Sequence, residues 1–476
     1  MWLIPVAILV LFLGVLVIRT LLFTPKPGPN VCDDAVEFDR EQAISDLQQL
    51  VRCKTVSYGD SALEDDGEFQ KFMDLLPTLY PQVFAHCTFT QMEDRALLFC
   101  WQGRTEADPV VVMAHYDVVP VEEDGWEKPA FEGILENDVL WGRGTLDTKV
   151  TVNGILFAVN HLIAQGYQPE RTVYMAFSGG EEINGLGASR IVDWFEAQKI
   201  TPAFVLDEGG AVVENVFPGV TAPCGLIGIA EKGMLNVQYS VKSSGGHASA
   251  PKPGGPVDRL SRACCKVLAK PFPYHITPPV AAMFDTLGRH SNFLYRMIFA
   301  NLWCFAPVLN LLCKKSGGEL NALMRTTVAF TQMKGSKAPN VIPPHAEMVS
   351  NMRLNPKDTM DSALAYLKKH VGDNQVEITK LDGMNPSRIS CVEGFGWETV
   401  SAAVASTWKG CIVSPYLMVQ CSDSRHYGRI SDCVYRFSAM DLTAEERATI
   451  HGHNERIRVE TLCRTVEFYI RLLGQC

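Results

Sequence analysis

The sequence predicts an α/β fold, in which a doubly wound, mainly parallel sheet forms the main domain and carries an inserted α+β domain. Two observations lead to this prediction. Three apolar, strand-like runs at 110–114, 171–177 and 203–206 are each followed by acidic residues or histidine, and helical segments separate them. In a parallel sheet the carboxyl ends of such strands meet at one edge. After residue 225, apolar and polar residues alternate, as in a half-exposed antiparallel sheet.

An apolar segment opens the chain. Residues 2–18 are apolar, and Arg19 and a proline-rich linker at 25–30 follow them. We predict that residues 1–24 act as a signal or a signal anchor, and the absence of a small-residue cleavage site favours a single-pass anchor that is not removed. Both alternatives lead to the secretory pathway, with an extracellular or membrane-anchored product. Attachment to a membrane through this segment therefore stays open.

Length and charge limit what the remaining chain can be. For 476 residues we expect two or three domains, and we place the main domain at 31–229 and 385–476 with the insertion at 230–384. The net charge is −10 and no Lys/Arg cluster occurs, so we expect no nucleic acid partner. The fifteen cysteines include no Cys-x-x-Cys pair, which indicates buried thiols with one or two disulfides and not a metal site.

The individual elements follow from periodicity. Helical spacing of apolar residues occurs at 39–51, 69–79, 152–164 and 361–369, and alternation occurs at 235–241, 347–354 and 376–381.

A stretch rich in Leu, Phe and Trp, residues 293–313, lies inside the predicted insertion. Arg296, Asn301 and Pro307 interrupt it too often for a second membrane span. We interpret it as core helices of the insertion. The alternative, a wall that contacts an apolar substrate, stays open.

Polar residues suited to metal chemistry follow the predicted strands. His115 and Asp117 are two residues apart and point to the same side of an extended chain. The aspartate can accept a hydrogen bond from one ring nitrogen while the other nitrogen faces a metal ion. Further carboxylates occur at Asp147, 181–182 and 207–208. Two divalent cations that share one carboxylate need such a set, with one additional carboxylate free to carry protons.

These motifs resemble those of the co-catalytic di-zinc amidohydrolases, a family that includes aminoacylase, glutamate carboxypeptidase and carboxypeptidase S. The resemblance covers nearly everything after residue 40 and implies two zinc ions as cofactors. It also implies that the doubly wound sheet forms a catalytic domain and that the inserted α+β domain is of the lid or dimerisation type. The roles that it implies are His115 and Asp207 as ligands of the first zinc, Asp117 as the residue that orients His115, Asp147 as the bridge, Glu182 and His451 as ligands of the second zinc, and Glu181 as the general base.

Three further positions match residues near the substrate in this family. His247, in Ser-Gly-Gly-His, matches a histidine that stabilises the oxyanion, often from a partner subunit, so a homodimer stays open. Asn340 and Arg425 match substrate-binding positions, and Arg425 is a candidate clamp for the substrate carboxylate. The chain departs from the family pattern at Thr148 and Gly180, and neither departure removes a ligand.

The resemblance implies a zinc-dependent amidohydrolase that cleaves, and reversibly forms, the amide bond of N-acyl amino acids. The apolar stretch 293–313 favours N-fatty-acyl amino acids, with fatty acid and free amino acid as products. One alternative is a metallo-carboxypeptidase that releases C-terminal residues from short peptides. An alternative of another class is a catalytically inactive, membrane-anchored binding protein, but the full set of ligands and base argues against it.

Overall fold

Strands and helices alternate through the first half of the chain, and the computed structural model describes residues 3–215 and 217–476. In chain order the strands are β1 Thr88–Met92, β2 Ala96–Trp101, β3 Val110–His115, β4 Ile134–Glu136, β5 Val139–Trp141, β6 Val173–Ser178, β7 Phe204–Val213, β8 Cys224–Glu231, β9 Gly233–Lys242, β10 Gly246–His247, β11 Thr327–Lys334, β12 Val341–Ile342, β13 His345–Leu354, β14 Glu377–Met384, β15 Ile412–Met418, β16 Val434–Asp441 and β17 Arg456–Arg458. The helices are α1 Leu3–Leu22, α2 Arg40–Val51, α3 Asp66–Leu79, α4 Pro81–His86, α5 Lys149–Ala164, α6 Gly187–Gln198, α7 Pro256–Ala269, α8 Pro278–His290, α9 Phe293–Ala300, α10 Leu302–Ser316, α11 Gly318–Met324, α12 Met360–Val371, α13 Phe395–Thr407, α14 Ala444–Arg447 and α15 Val459–Leu473.

An eight-stranded sheet forms the centre of the large domain, in the order β1-β2-β6-β3-β7-β16-β8-β15. Strand β3 pairs in parallel with β6 and β7, and β7 pairs in parallel with β16. Antiparallel pairs join β1 to β2 and β2 to β6 at one side of the sheet. The predicted α/β fold with a mainly parallel central sheet is therefore confirmed.

Strand β3 shows why this sheet is covered on both faces. All six of its residues are buried. Val110 and Val112 belong to the core cluster that includes residues of α5 and α15, whereas Val111 and Met113 belong to a second cluster with residues of α6. Successive side chains of a strand point to opposite faces, so a continuous apolar run requires helices on both sides.

A second, four-stranded sheet is antiparallel throughout, in the order β11-β13-β9-β14. Its alternation is clear in β9, where Leu235, Val237, Tyr239 and Val241 are buried and the intervening residues are partly exposed. The buried side chains pack with residues of α7 and α12 in a core of their own. This unit lies within the predicted insertion, and the exact domain boundaries stay a prediction.

Residues 293–313 differ from the expectation. They form α9 and α10, two helices bent by 111° at Asn301. Phe299, Leu309 and Cys313 join the core of the large sheet, while most other large apolar side chains of the stretch are exposed. The prediction that this stretch forms the core of the insertion is therefore wrong, because periodicity cannot tell which neighbour, if any, covers an apolar helix.

Candidate metal centre

His115 ends β3, and the backbone orients its ring. Nδ1 lies 3.0 Å from the carbonyl oxygen of Asp117 and 3.4 Å from the carboxylate of the same residue. Nδ1 therefore carries the proton and donates a hydrogen bond to the carbonyl oxygen of Asp117, which leaves a lone pair on Nε2. Nε2 faces Asp147 Oδ1 at 2.9 Å. A lone pair and a carboxylate at this distance require a proton or a metal cation between them.

Asp117 acts on the neighbouring strand end as well. Its buried carboxylate accepts hydrogen bonds from the backbone N–H groups of Glu181, at 3.1 Å, and Glu182, at 3.3 Å. These two glutamates open a short 3-10 helix, Glu181–Ile183, which two glycines separate from the end of β6. The carboxylate of Asp117 therefore positions both glutamates, while its carbonyl oxygen positions the histidine.

Asp147 links two histidines that come from opposite ends of the sequence. Its Oδ1 faces His115, and its Oδ2 lies 3.0 Å from His451 Nε2. His451 Nε2 also lies 3.1 Å from Glu182 Oε2. Two ligands of one tetrahedral zinc, with bonds of about 2.0–2.2 Å, are separated by roughly 3.3 Å. The spacing around Asp147 thus suits a carboxylate that bridges two cations.

The loop that presents Asp147 is held by Glu455, a residue that the sequence reasoning did not single out. One carboxylate oxygen of Glu455 accepts from the backbone N–H groups of Gly144, Leu146 and Asp147 at 3.0, 2.7 and 3.2 Å. The other oxygen pairs with Arg143 Nη1 at 2.5 Å, and both side chains are buried. Glu455 follows His451 by four residues, so one short segment supplies a candidate ligand and the support of the bridge.

Within β7, the structure brings Glu208 to His115. Glu208 Oε1 lies 3.4 Å from His115 Nε2, and His115, Glu181 and Glu208 can each offer an atom to one ion. Asp207 is buried beside them, but its Oδ2 accepts a hydrogen bond from the backbone N–H of Ser424 at 2.9 Å. Glu208 was missed from the sequence, where the only signal is that it follows Asp207 directly.

The charges of this cluster favour a cation. Burial raises the pKa of Glu182 and of Asp207, and it raises that of Glu208 to about 8. Burial alone would also raise the pKa of Asp147, but hydrogen bonds with His115 and His451 lower it below its ordinary value. Glu182 Oε1 is buried and has no hydrogen-bond partner among the described residues. Carboxylates and imidazoles in this arrangement fit a pair of divalent cations. The cations would neutralise the carboxylates, and one of them would bind the unpaired Oε1 of Glu182.

Glu181 differs from its neighbour in its surroundings. Burial and the negative charges of Asp423, Glu208 and Glu182 raise its pKa well above the ordinary range, against the effect of His115. Asp423 was also missed from the sequence; its Oδ2 accepts from Ser178 Oγ at 2.5 Å, and its Oδ1 is buried without a partner among the described residues. A carboxylate with a raised pKa can both accept and return a proton near neutral pH.

Arg425 lies beside the turn that carries the two glutamates. Its Nη2 donates to Asn184 Oδ1 at 3.2 Å, and its Nη1 donates to the carbonyl oxygen of Ser422 at 2.9 Å. Asn184 follows the Glu181–Ile183 helix directly. The guanidinium is partly exposed, so it retains donors for an anionic group near the metal centre.

His247 and Asn340 lie together, in the two-stranded pair of β10 and β12. His247 pairs with Val341, and the backbone N–H of Ala248 donates to the carbonyl oxygen of Asn340 at 3.0 Å. The exposed ring of His247 contacts Ser249 Oγ at 2.8 Å. Within the described chain, the hydrogen bonds found for this pair stay in its own loops and do not reach the metal centre.

The sequence matches known proteins over most of its length. The sequence profile of Peptidase family M20/M25/M40 matches residues 111–475. The chain is 32% identical to the N-fatty-acyl-amino acid synthase/hydrolase PM20D1 of Xenopus tropicalis, over 98% of this chain and 93% of the relative. It is 31% identical to the probable carboxypeptidase S-like 2 of Dictyostelium discoideum, over 98% of this chain and 92% of the relative.

Solved structures share the fold. The M20 family metallo-carboxypeptidase Sso-CP2 from Sulfolobus solfataricus superposes with a TM-score of 0.68 at 17% identity, covering 91% of this chain and 98% of that one. The Bacillus subtilis YXEP protein, described as a dinuclear metal binding peptidase from the M20 family, superposes with a TM-score of 0.56 at 12% identity, covering 91% and 97%.

Proposed function

The chain belongs to Peptidase family M20/M25/M40 and is a metal-dependent hydrolase of amides or peptides, and from this premise we propose that it cleaves, and reversibly forms, the amide bond of N-fatty-acyl amino acids. The observation that carries this proposal is the likeness, over nearly the whole chain, to a relative named N-fatty-acyl-amino acid synthase/hydrolase. The candidate metal centre supplies the chemistry that such a reaction needs.

We propose that the metals are two zinc ions. His115 and Glu208 would hold the first ion, Glu182 and His451 the second, and Asp147 both. Histidine and carboxylate donors at these separations suit zinc. When bound, the two ions would acidify a water molecule and polarise the scissile carbonyl. Asp207, which we predicted as a ligand, is supported less well than Glu208 because one of its oxygens accepts from a backbone N–H group.

Glu181 is the proposed general base. Its carboxylate takes a proton from the attacking water as the new C–O bond forms, and it passes this proton to the nitrogen as the C–N bond breaks. Its raised pKa suits both transfers. The same steps in reverse join a fatty acid and an amino acid with release of water.

Three residues outside the metal centre would bind the substrate. Arg425 is the proposed clamp for its carboxylate, supported by the position of its guanidinium beside the Glu181 turn. His247 and Asn340 are proposed to contact the oxyanion and the substrate. The hydrogen bonds of His247 and Asn340 stay within their own loops. Their proposed roles therefore require either that the pair of β10 and β12 moves towards the metal centre or that a second copy of the chain supplies these residues, so a homodimer stays a proposal.

The first test uses the variant Glu181→Gln. We expect it to keep both metals, as measured by elemental analysis, and to lose activity by at least about 10²-fold, since general base catalysis contributes typically 10²–10⁴-fold. Glu377→Gln, an exposed residue of β14, is the matched control and should retain full activity. Retained activity in Glu181→Gln would remove this residue from the proposed role, and a metal-free but folded wild-type protein would favour an inactive binding protein.

A second test separates the two substrate classes. A carboxypeptidase that trims short peptides is the second candidate, favoured by the full-length likeness to the carboxypeptidase S-like relative. The purified protein would be incubated with N-oleoyl-phenylalanine and with a blocked dipeptide that ends in phenylalanine, and released phenylalanine would be measured. We expect faster cleavage of the oleoyl substrate. Cleavage of the dipeptide alone would refute the proposed substrate.

A further inference from the structure

Helices α1, α9 and α10 carry an unusually large number of exposed apolar side chains, which we call the apolar face. A surface of this kind is rare on a soluble monomer and marks a site that another apolar phase covers. Its large residues on α9 and α10 are Phe293, Leu294, Tyr295, Trp303, Val308, Leu311 and Leu312, and those on α1 are Leu3, Ile4, Val6, Ile8, Leu9, Val10, Leu11, Phe12, Leu13, Val15, Val17, Ile18, Leu21 and Leu22.

The three helices form one surface because they contact one another. The rings of Phe12 in α1 and Trp303 in α10 meet edge to face, with centroids 5.9 Å apart. At the bend between α9 and α10, the side-chain amide of Asn301 donates to the carbonyl oxygen of Leu16, at 3.2 Å. Asn301 and Thr20, which lie 3.4 Å apart, are both fully buried.

Charged residues fix the end of α1 to the rest of the protein. Arg19 donates to the carbonyl oxygen of Ala300 at 3.1 Å. After the helix, Lys26 pairs with Asp285 of α8 at 2.7 Å, and Arg289 of α8 donates to the carbonyl oxygen of Thr24 at 2.8 Å. A signal sequence that is later removed does not need such contacts, and its removal would uncover the buried amide of Asn301.

Length distinguishes the roles of these helices in a bilayer. The 20 residues of α1 extend about 30 Å, which equals the hydrocarbon core of a bilayer. The 15 residues of α10 extend only about 22 Å, and the bend of 111° prevents α9 and α10 from crossing as one rod. Their contacts with α1 extend from Phe12, at the middle of the helix, to Arg19, near the end from which the chain enters the large domain. The two helices therefore lie at the level of the nearer leaflet.

We propose that α1 remains in the mature protein as a membrane span, and that α9 and α10 are embedded in the lipid leaflet next to the large domain. The exposed side of α10 supports lipid as the covering phase. Trp303, Val308, Leu311 and Leu312 are exposed and lie within one half of the circumference of this helix. Exposed Lys314 and Lys315 follow in its last turn, where their charged ends can reach the polar headgroups of a bilayer. The partner is therefore a lipid bilayer.

The experiment uses the full-length protein made in eukaryotic cells. The intact mass of the purified chain and its resistance to alkaline extraction from membranes report on α1. We expect an uncleaved chain that stays with the membrane. A mature chain that starts after residue 22 and is soluble would overturn the proposal.

The position of α10 is tested by fluorescence in vesicles of phosphatidylcholine and phosphatidylserine that contain brominated acyl chains. Bromine quenches nearby tryptophans, and the chain has eight. We expect Trp303→Phe to remove a large part of the quenched signal, whereas the matched control Trp194→Phe, in α6, should leave the quenched signal unchanged. An equal quenched signal in wild type and Trp303→Phe would overturn the embedding of α10. If cross-linking then showed a dimer through this surface, a second copy would be the covering partner.

Discussion

The substitution Glu455→Gln would test how the loop of Asp147 is held. Glu455 receives four hydrogen bonds, three from backbone N–H groups to one oxygen and one from Arg143 to the other. Glutamine can present its carbonyl oxygen to the three N–H groups, but its NH2 group then faces Arg143 Nη1. Both groups are hydrogen-bond donors, so no hydrogen bond can form between them. The variant thus keeps the size of the side chain and removes one ion pair.

The magnitude follows from the burial of both partners. Breaking a buried ion pair by removing one charge costs about 3–5 kcal/mol, because the other charge stays buried without compensation. Arg143 keeps one hydrogen bond, from Nη2 to the carbonyl oxygen of Gly452 at 2.9 Å, so we expect a loss near the lower limit, about 3 kcal/mol. The loop that carries Asp147 should also be less well positioned, with a metal affinity lower by about 10–100-fold.

The assay is guanidinium unfolding at pH 7 in the presence of a chelator, followed by metal titration of the folded protein. The double variant Arg143→Met, Glu455→Gln is the control, since it leaves no unpaired buried charge and should be more stable than Glu455→Gln alone. A loss below about 1 kcal/mol for Glu455→Gln, or a double variant less stable than the single one, would refute the reasoning.

Three further predictions concern other parts of the protein. Glu208→Gln should weaken binding of the first cation, measured by metal titration, by at least about 100-fold and more than Asp207→Asn does; the reverse order would make Asp207 the ligand. Burial raises the pKa of Asp46 to about 6, so the folded protein binds a proton at this carboxyl more tightly than the unfolded chain does. This preference stabilises the fold fully below about pH 4, and the stabilisation is lost as the pH rises through about 6. The difference in free energy of unfolding between Asp46→Asn and wild type should therefore shift by about 2–3 kcal/mol in favour of the variant from pH 4 to 7. The same difference at both pH values would contradict the burial of a charged Asp46. Cys391 Sγ and Cys433 Sγ lie 3.0 Å apart, so oxidised glutathione should convert them to a disulfide. The number of free thiols titrated in the denatured protein should then fall by two. An unchanged number of thiols, or an equal loss in Cys433→Ser, would contradict this pairing.

Much of the large sheet follows from local pattern. The runs 110–114, 171–177 and 203–206 become the buried strands β3, β6 and β7, because only a sheet covered on both faces accommodates continuous apolar strands. The alternation at 235–241 likewise becomes a strand of the antiparallel sheet. Local pattern did not reveal that α9 and α10 leave seven of their large apolar side chains exposed, since burial depends on the neighbours of a helix and not on its own sequence.

The sequence by itself determined the residue types of the candidate site and their order along the chain, since strand ends and motifs are local features. Only the tertiary structure decided that Glu208 and not Asp207 reaches His115, and that Glu455 supports the loop of Asp147. Adjacent acidic residues carry the same local signal, but in a strand their side chains point to opposite faces, so the orientation of β7 determines which one faces the centre. His451 is a candidate ligand because folding carries it across more than 300 positions to within 3.0 Å of Asp147, a distance that no local pattern encodes.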